Sequence, residues 1–284
     1  MNNIQKNRLK NQLFKYWGIA CTLFGLVMLS IFLGNIITDG LLRINWDFIV
    51  SLPSRNPLKA GIFTALMGSI WVLFLTCLFA FPLGVAAGVY LEEYSKKNKL
   101  AVLLEINISN LAGVPSIIYG LLGLEVFGRI LGFGTSILTG SLTLGLLILP
   151  IIIVATRESI KAVPKSIKEA SFAMGASKWQ TVWLQTLPAS FGGILTGVIL
   201  ALSRAVGEAA PLIVIGALAY VPFAPHTPLD DFSVLPIQIF NWISRPQHGF
   251  AVNAAAGIII LLLITFTMNG VAVYFRNKWQ KKIQ

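Results

Sequence analysis

Seven stretches of this 284-residue chain contain no Asp, Glu, Lys or Arg: 17–38, 60–91, 106–124, 130–156, 179–203, 209–229 and 246–275. An α-helix crosses a bilayer in about 20 predominantly apolar residues. Inside lipid every backbone N–H and C=O must also be satisfied within the protein, which leaves helices and closed barrels. These runs are too long for barrel strands and do not alternate with period two. They predict six spans at 17–38, 62–90, 111–131, 136–156, 192–220 and 251–275, the fifth interrupted by Arg204 and Glu208. Only 12% of residues are charged, about half the usual share in a soluble domain, so a water-soluble globule is excluded. The expected fold class is all-α integral membrane.

The formal net charge is +11. A basic excess suits nucleic acid, anionic lipid or membrane topology, and the placement of the charges decides between them. Six spans put both termini on one side. With that side cytoplasmic, the inside segments 1–16, 92–100, 157–191 and 276–284 hold 16 of the 22 basic residues, Lys96, Lys97 and Lys99 among them. The outside loops 39–61 and 221–250 hold four: Arg43, Arg55, Lys59 and Arg245. This is a positive-inside distribution, and it sets topology rather than a nucleic-acid surface. The apolar part of the first span is longer than a signal peptide's, and no clear small-x-small cleavage site follows, so it reads as a retained anchor.

Cys21 and Cys77 both lie in apolar spans and read as small hydrophobes. His226 and His248 share one outside loop with no cysteine cluster, which makes a weak metal case, and no metal site is expected. The second to fifth spans carry Pro82, Pro115, Pro150 and Pro211. A proline removes a donor and frees a carbonyl, so these spans are expected to form a core around a cavity, with the first and sixth outside it. The alternative is a set of harmless kinks. The third span opens with a short amphipathic segment, Lys99–Asn110, placed at the inner interface, before Gly113 and Pro115 break the helix. Glu125 and Arg129 stand at i,i+4 near the outer end of this span, as a structural ion pair or an aid to substrate admission.

One charge is out of place. Arg204 falls about midway along the expected fifth span, where a cation costs roughly 2.5–3.5 kcal/mol or more and is a functional hypothesis by default. Glu208 follows one turn later, Gly207 permits close approach, and Pro211 frees the Gly207 carbonyl. A guanidinium fork suits a tetrahedral oxyanion, with Glu208 holding Arg204 and offsetting its charge. The competing reading is a structural ion pair locking the fifth helix to its neighbours.

The longest inside loop, 157–191, has its own pattern. Pro164 suits a helix start, Ile167, Ala170, Ser171 and Met174 share one face, and Gly175 marks a stop. Ser177-Lys-Trp-Gln180 is a capping-box pattern opening a second helix, which Pro188 closes. Tethering at both ends by spans argues against a DNA-binding helix-turn-helix and for docking of a cytoplasmic partner. Glu169-Ala-Ser-Phe-Ala-Met-Gly175 through Leu187-Pro188 resembles the EAA loop of ABC-transporter permeases, Glu-Ala-Ala-x3-Gly-x9-Ile-x-Leu-Pro. Glu169, Ala170, Gly175, Leu187 and Pro188 match, while Ser171 replaces the second alanine and Gln185 the usual isoleucine. In that family the loop forms the coupling helix that sits in a cleft of the ATPase subunit.

Three further segments resemble the phosphate-specific permeases of the PstA type: Leu111-Ala-Gly-Val-Pro-Ser-Ile-Ile-Tyr-Gly-Leu121, Ser203-Arg-Ala-Val-Gly-Glu-Ala-Ala-Pro-Leu212 and Leu235-Pro-Ile-Gln-Ile-Phe-Asn-Trp242. The resemblance implies a type-1 (MetI-like) core over 60–276, preceded by 1–59 (tail, first span and outer loop) and followed by a basic tail, 277–284. It implies a pathway at Arg204, Glu208, Ser203, Gly207, Pro115 and Ser116, and ATPase coupling through Glu169, Ala170, Ser171, Gly175, Leu187 and Pro188. It further implies a bacterial inner-membrane location and a PstC-like second permease. Two PstB-like ATPases carrying ATP and Mg, and a PstS-like periplasmic phosphate-binding protein, complete the set. The chain has no Gly-x4-Gly-Lys-Ser/Thr loop to cradle a nucleotide, so neither a catalytic residue nor a bound cofactor is expected in it, and it is read as a transport subunit rather than an enzyme. Arg204 would serve molybdate, sulfate or phosphonate equally. A stand-alone secondary carrier would show internal repeats, and none is clear.

Overall fold

The computed structural model describes residues 3–95, 99–217 and 220–283, so Lys96 and Lys97 lie outside the described residues. Among the described residues all regular structure is helical, apart from one isolated antiparallel bridge between Ser136 and Asp231. Five helices are long and apolar enough to cross a membrane, and a bent pair makes a sixth.

In chain order these are α1 (Asn3–Gly40), the short α2 (Trp46–Val50) and α3 (Phe63–Val89), which continues as a π-helical turn, Tyr90–Tyr94. Next come α4 (Lys99–Leu111) and α5 (Ser116–Gly123), the latter extended by a second π-helical turn, Leu124–Ile130. α6 (Ile137–Lys161) leads to α7 (Lys165–Ala173) and α8 (Lys178–Thr181), and a third π-helical turn, Val182–Thr186, joins α8 to α9 (Leu187–Gly207). α10 (Ala210–Ile215), α11 (Leu235–Ile243) and α12 (His248–Ile283) complete the chain.

α6 is the centre. Two thirds of its apolar window (67%) is buried within this chain, against 6% for α1. α3 and α9 pack on α6, and α12 packs on α1 and α9. Small residues set these approaches, as expected where lipid removes the hydrophobic drive between helices. Gly84 and Gly88 form a G-x3-G stripe on α3. A Cβ at Gly84 would lie 2.6 Å from Ile152 Cγ2, and one at Gly88 2.6 Å from Thr156 Cβ, both on α6. Likewise a Cβ at Gly197 of α9 would lie 2.1 Å from Ala155 Cβ.

The prolines divide into two kinds. Pro82 and Pro150 lie inside α3 and α6. Pro115 and Pro211 instead start helices: Pro115 caps α5, and Pro211 sits in the first turn of α10, where the missing N–H costs nothing.

The fifth span departs from expectation at both ends. It begins in the loop: α8 runs through its π-helical turn into α9, so the candidate span is Lys178–Gly207. Pro188 therefore does not close a helix but occupies the first turn of α9; the charge-free run 179–203 covers this continuity, but Gln180, Gln185 and Pro188 make its first part read as loop. At the far end the helix stops at Gly207 rather than continuing to 220. Pro211 has no N–H to donate to the Gly207 carbonyl, so the ladder ends there.

Opposite the 157–191 loop, the connections are tied down. The Arg43 guanidinium donates from Nε to Asn253 Oδ1 (2.9 Å) and from one terminal nitrogen to the carbonyls of Pro57, Leu58 and Ala60, while lying 4.8 Å over the Phe48 ring. The first backbone N–H groups of α6 would be orphaned, but Ile137 and Leu138 donate to the carbonyls of Asp230 and Pro228 at 3.1 and 2.8 Å. That loop is itself ordered by Asp230, whose carboxylate accepts from the Thr227 hydroxyl (2.6 Å) and from the N–H groups of Thr227 and His226.

Candidate functional site

Two helix breaks meet in this fold. The first is the 100° bend between Val102–Leu111 and Ser116–Ile130. The chain turns at Gly113-Val-Pro115, because the residue before a proline is driven out of the helical region. The Tyr119 hydroxyl spans the bend by donating to the Leu111 carbonyl at 2.8 Å. The second break is Glu208–Ala209, between α9 and α10. α5 packs on α10, and a Cβ at Gly120 would lie 2.7 Å from the Pro211 carbonyl oxygen. Non-helical backbone at membrane depth is tolerated only where protein or a wet cavity meets it, so two abutting breaks mark a polar place in an apolar bundle.

Arg204 stands at this place, in the last turn of α9 rather than midway along a span. A cation there is favoured by the negative end of the helix dipole. Its Nε donates to Glu208 Oε1 at 3.2 Å. Among the described residues Glu208 is the one partner of the guanidinium, and neither terminal nitrogen is engaged. The Arg204 side chain is 43% exposed and Glu208 18%. Gly207 beside them is exposed too, and a Cβ built there meets nothing within 4 Å. Arg204 also lies close enough to Tyr119 for its charge to act on that hydroxyl. Behind Glu208, between Ser69, Leu144, Ala205, Leu212 and Val234, there is a cavity of only about 10 Å³, room for about one water. The space on that side is narrow. The open side is the one that Arg204 and Gly207 present to the outside of this chain.

The expected pathway residues therefore separate. Arg204, Glu208 and Gly207 come together, with Pro115 and Ser116 heading the facing helix α5. Ser203 turns elsewhere: its hydroxyl contacts Asn269 on α12 and the Ile199 carbonyl, so it joins two helices. Tyr119 is the residue that the sequence reading passed over, although it lies within the segment already singled out. The available signal was a tyrosine hydroxyl in an apolar run three to four residues after a helix break, where it must find a partner.

The expected coupling residues form a second surface. Pro164 caps α7 and Gly175 ends it at φ +81°, a left-handed turn that favours glycine. The capping box is complete: Ser177 Oγ accepts from the Gln180 N–H, and Gln180 Oε1 accepts from the Ser177 N–H at 2.8 Å. Glu169 and Ala170 are exposed on α7, which buries none of its residues. Ser171 exchanges a hydrogen bond with Thr181 at 2.9 Å. Leu187 and Pro188 are half-buried at the root of α9, away from the exposed surface. A groove of about 470 Å³ runs between Ile167, Ala170, Met174, Gln180, Leu184 and Gln185. Trp179 and Trp183 stack beside it with ring centroids 5.6 Å apart, both exposed.

A bundle with this loop and these two breaks invites comparison with known transport subunits, and residues 80–281 match the profile of the binding-protein-dependent transport system inner membrane component. The chain belongs to that family. Among its relatives, the phosphate transport system permease protein PstA of Yersinia pestis is 32% identical over 95% of this chain and 92% of that protein. The probable ABC transporter permease protein YqgI of Bacillus subtilis strain 168 is 31% identical over 94% and 95%. The permease fold is also that of solved transporters. A chain of the inward-facing methionine ABC transporter MetNI superposes with a TM-score of 0.62 at 18% identity, over 77% of this chain and 97% of that one. A chain of a bacterial alginate ABC transporter superposes with a TM-score of 0.69 at 14% identity, over 94% of both. This permease is thus an integral protein of the inner membrane, and its all-α, MetI-like fold is the one expected from the spans.

Proposed function

We propose that this chain is the membrane-spanning permease subunit of an ATP-driven importer that passes inorganic phosphate to the cytoplasm. One observation carries the reading: the Arg204 guanidinium stands at two abutting helix breaks, held through Nε by Glu208, with no partner for its terminal nitrogens among the described residues. Such a fork accepts two oxygens of a tetrahedral anion. Glu208 orients it and keeps the local charge near neutral, so the anion is bound without being trapped. The likeness to the Yersinia pestis phosphate permease supports phosphate over other oxyanions.

The same arrangement argues for partners. The anion side of Arg204 opens outward from this chain, so the pathway closes only when a second permease of the PstC kind covers it. Two PstB-like ATPases dock on the groove and the Trp179–Trp183 ledge of loop 157–191, and ATP and Mg stay on them. A PstS-like binding protein docks on the opposite face, over loops 39–61 and 221–250. The basic inside segments keep both termini cytoplasmic. The core 60–276 carries these functions, with 1–59 and 277–284 as flanking anchor and tail.

The test is radiolabelled phosphate uptake in a strain lacking this chain and complemented with it, with arsenate and molybdate as competitors. Restored uptake that arsenate suppresses and molybdate spares is expected. Uptake that molybdate or sulfate suppresses instead would reassign the substrate, and uptake without ATP would exclude an ABC importer. For docking, Glu169→Lys and Gly175→Pro are expected to release the ATPase subunits in a pull-down. Wild-type recovery of the ATPase with both variants contradicts the docking surface.

A further inference from the structure

The π-helical turn Tyr90–Tyr94 at the end of the second span reads, from sequence, as the start of a basic inside segment. In the structure its acidic and aromatic residues reach three other elements. Glu93 pairs with Lys168 of α7, the lysine side chain 24% exposed and the glutamate 11%. Tyr94 lies under the ammonium of Lys178 in α8, at 5.0 Å from the ring centroid. Glu92 faces Arg157 of α6 at 3.5 Å, and Arg157 also holds Glu105 of α4 at 3.0 Å. α7 itself buries no residue, and its packing is with the segments that follow it, α8 and the turn Val182–Thr186. Lys168–Glu93 is, among the described residues, the one ion pair that leaves α7 for another span. Two elements of the 157–191 loop are thus fastened to one turn of the second span by cations on adjacent side chains.

A displacement imposed on α7 reaches a membrane helix only through contacts that persist as α7 moves. A largely desolvated ion pair is stiffer than an exposed one, and α7 has no buried apolar face to do this work. We propose that Glu93, gripped by Lys168, is the positioning residue through which movement of α7 reaches the second span. Loss of the grip leaves ATP hydrolysis running without transport. The proposal rests on the reading that the ATPases dock on loop 157–191.

The test uses the complete complex reconstituted in liposomes, with radiolabelled phosphate uptake and ATP hydrolysis measured on the same vesicles. Glu93→Gln and Lys168→Gln are each expected to retain the ATPase subunits and hydrolyse ATP, while phosphate moved per ATP falls about tenfold, the scale of a typical coupling between sites. The exchanged pair, Glu93→Lys with Lys168→Glu, restores the ratio to within about twofold of wild type, as a pairwise interaction requires. Should Glu93→Gln fail to assemble, Lys168→Gln, altered at the exposed end of the pair, reads the same ratio. An unchanged ratio in an assembled single variant overturns the proposal, as does an exchanged pair that assembles but stays uncoupled. Failure of the docking reading would look different: Glu169→Lys would leave ATPase recovery intact.

Discussion

Among the arginines that face carboxylates in the described residues, Arg157 and Arg204 differ in what is left over. Arg157 is 11% exposed and shared between Glu92 and Glu105, at 3.5 and 3.0 Å. It joins α6, α4 and the end of the second span. Arg204 is 43% exposed, touches only Glu208, and keeps its terminal nitrogens free among the described residues. One is enclosed between two acids, the other held by one edge. The difference separates a joint from a binding group: an arginine enclosed by two acids has no fork left for a solute, whereas one oriented by a single acid beside an open glycine does. Charge alone would not have distinguished them, since each stands near the end of an apolar helix.

The comparison can be broken most severely at the joint. Arg157→Gln leaves Glu92 and Glu105 without their cation in a half-buried setting, where removing one partner of a charge cluster is costly. We expect destabilisation of about 2 kcal/mol, discounted for the partial exposure of both acids, seen as a melting temperature lower by roughly 5 °C in detergent. A variant that melts like wild type would remove the joint from the account. Glu208→Gln is expected to leave the melting temperature unchanged and reduce uptake about fivefold, with kcat falling more than KM, because an unbalanced guanidinium releases its anion slowly. A rise in KM alone would mean that Glu208 does not offset Arg204. Tyr119→Phe removes the hydrogen bond across the third-span break, a net contribution of about 1 kcal/mol. An uptake loss of about threefold at normal expression is expected, and full uptake would free the bend from that bond.

The smallest effect lies far from both arginines. Hydrogen bonds from the Thr227 hydroxyl, then from the backbone N–H groups of Thr227 and His226, hold the Asp230 carboxyl below the usual carboxylate range. A depressed folded value means that the stabilisation is fully present above the ordinary Asp pKa and is lost as pH falls through the lowered one. Hydrogen-exchange protection at residues 226–231, taken relative to the intrinsic rate at each pH, should hold at neutral pH and fall only below the ordinary Asp range; Asp230→Asn should remove that pH dependence. An acid step that persists in Asp230→Asn assigns it to another group.

Much of this was legible in the residues. Charge-free runs located five spans, because lipid burial leaves no alternative to a helix of that length. Gly113 and Pro115 announced the bend, and Ser177 with Gln180 announced a cap that the structure completes. Four things were not legible. The continuity of α8 into α9 is a π-helical turn, and no composition rule marks one. The helix end at Gly207 was hidden because Pro211 reads equally as a kink within a span and as the start of a new helix. The partners of Glu92, Glu93 and Arg157 lie on separate elements, and a sequence shows charges without showing which meet. The pairing of Arg204 with Glu208 was readable from their i,i+4 spacing, which survives because Glu208 directly follows the last helical residue; the direction of Ser203 toward Asn269 was not.

The central claim is that Arg204 binds the transported anion and does not merely hold helices together. It is tested most directly by phosphate uptake in Arg204→Gln, alongside the melting temperature and subunit recovery of the purified complex. The account predicts uptake reduced about 100-fold or more, the loss of a charge-assisted bidentate contact of about 3 kcal/mol, with assembly and melting temperature as in wild type. Uptake at wild-type rates, or a loss matched by a collapse of assembly, would return Arg204 to a structural role.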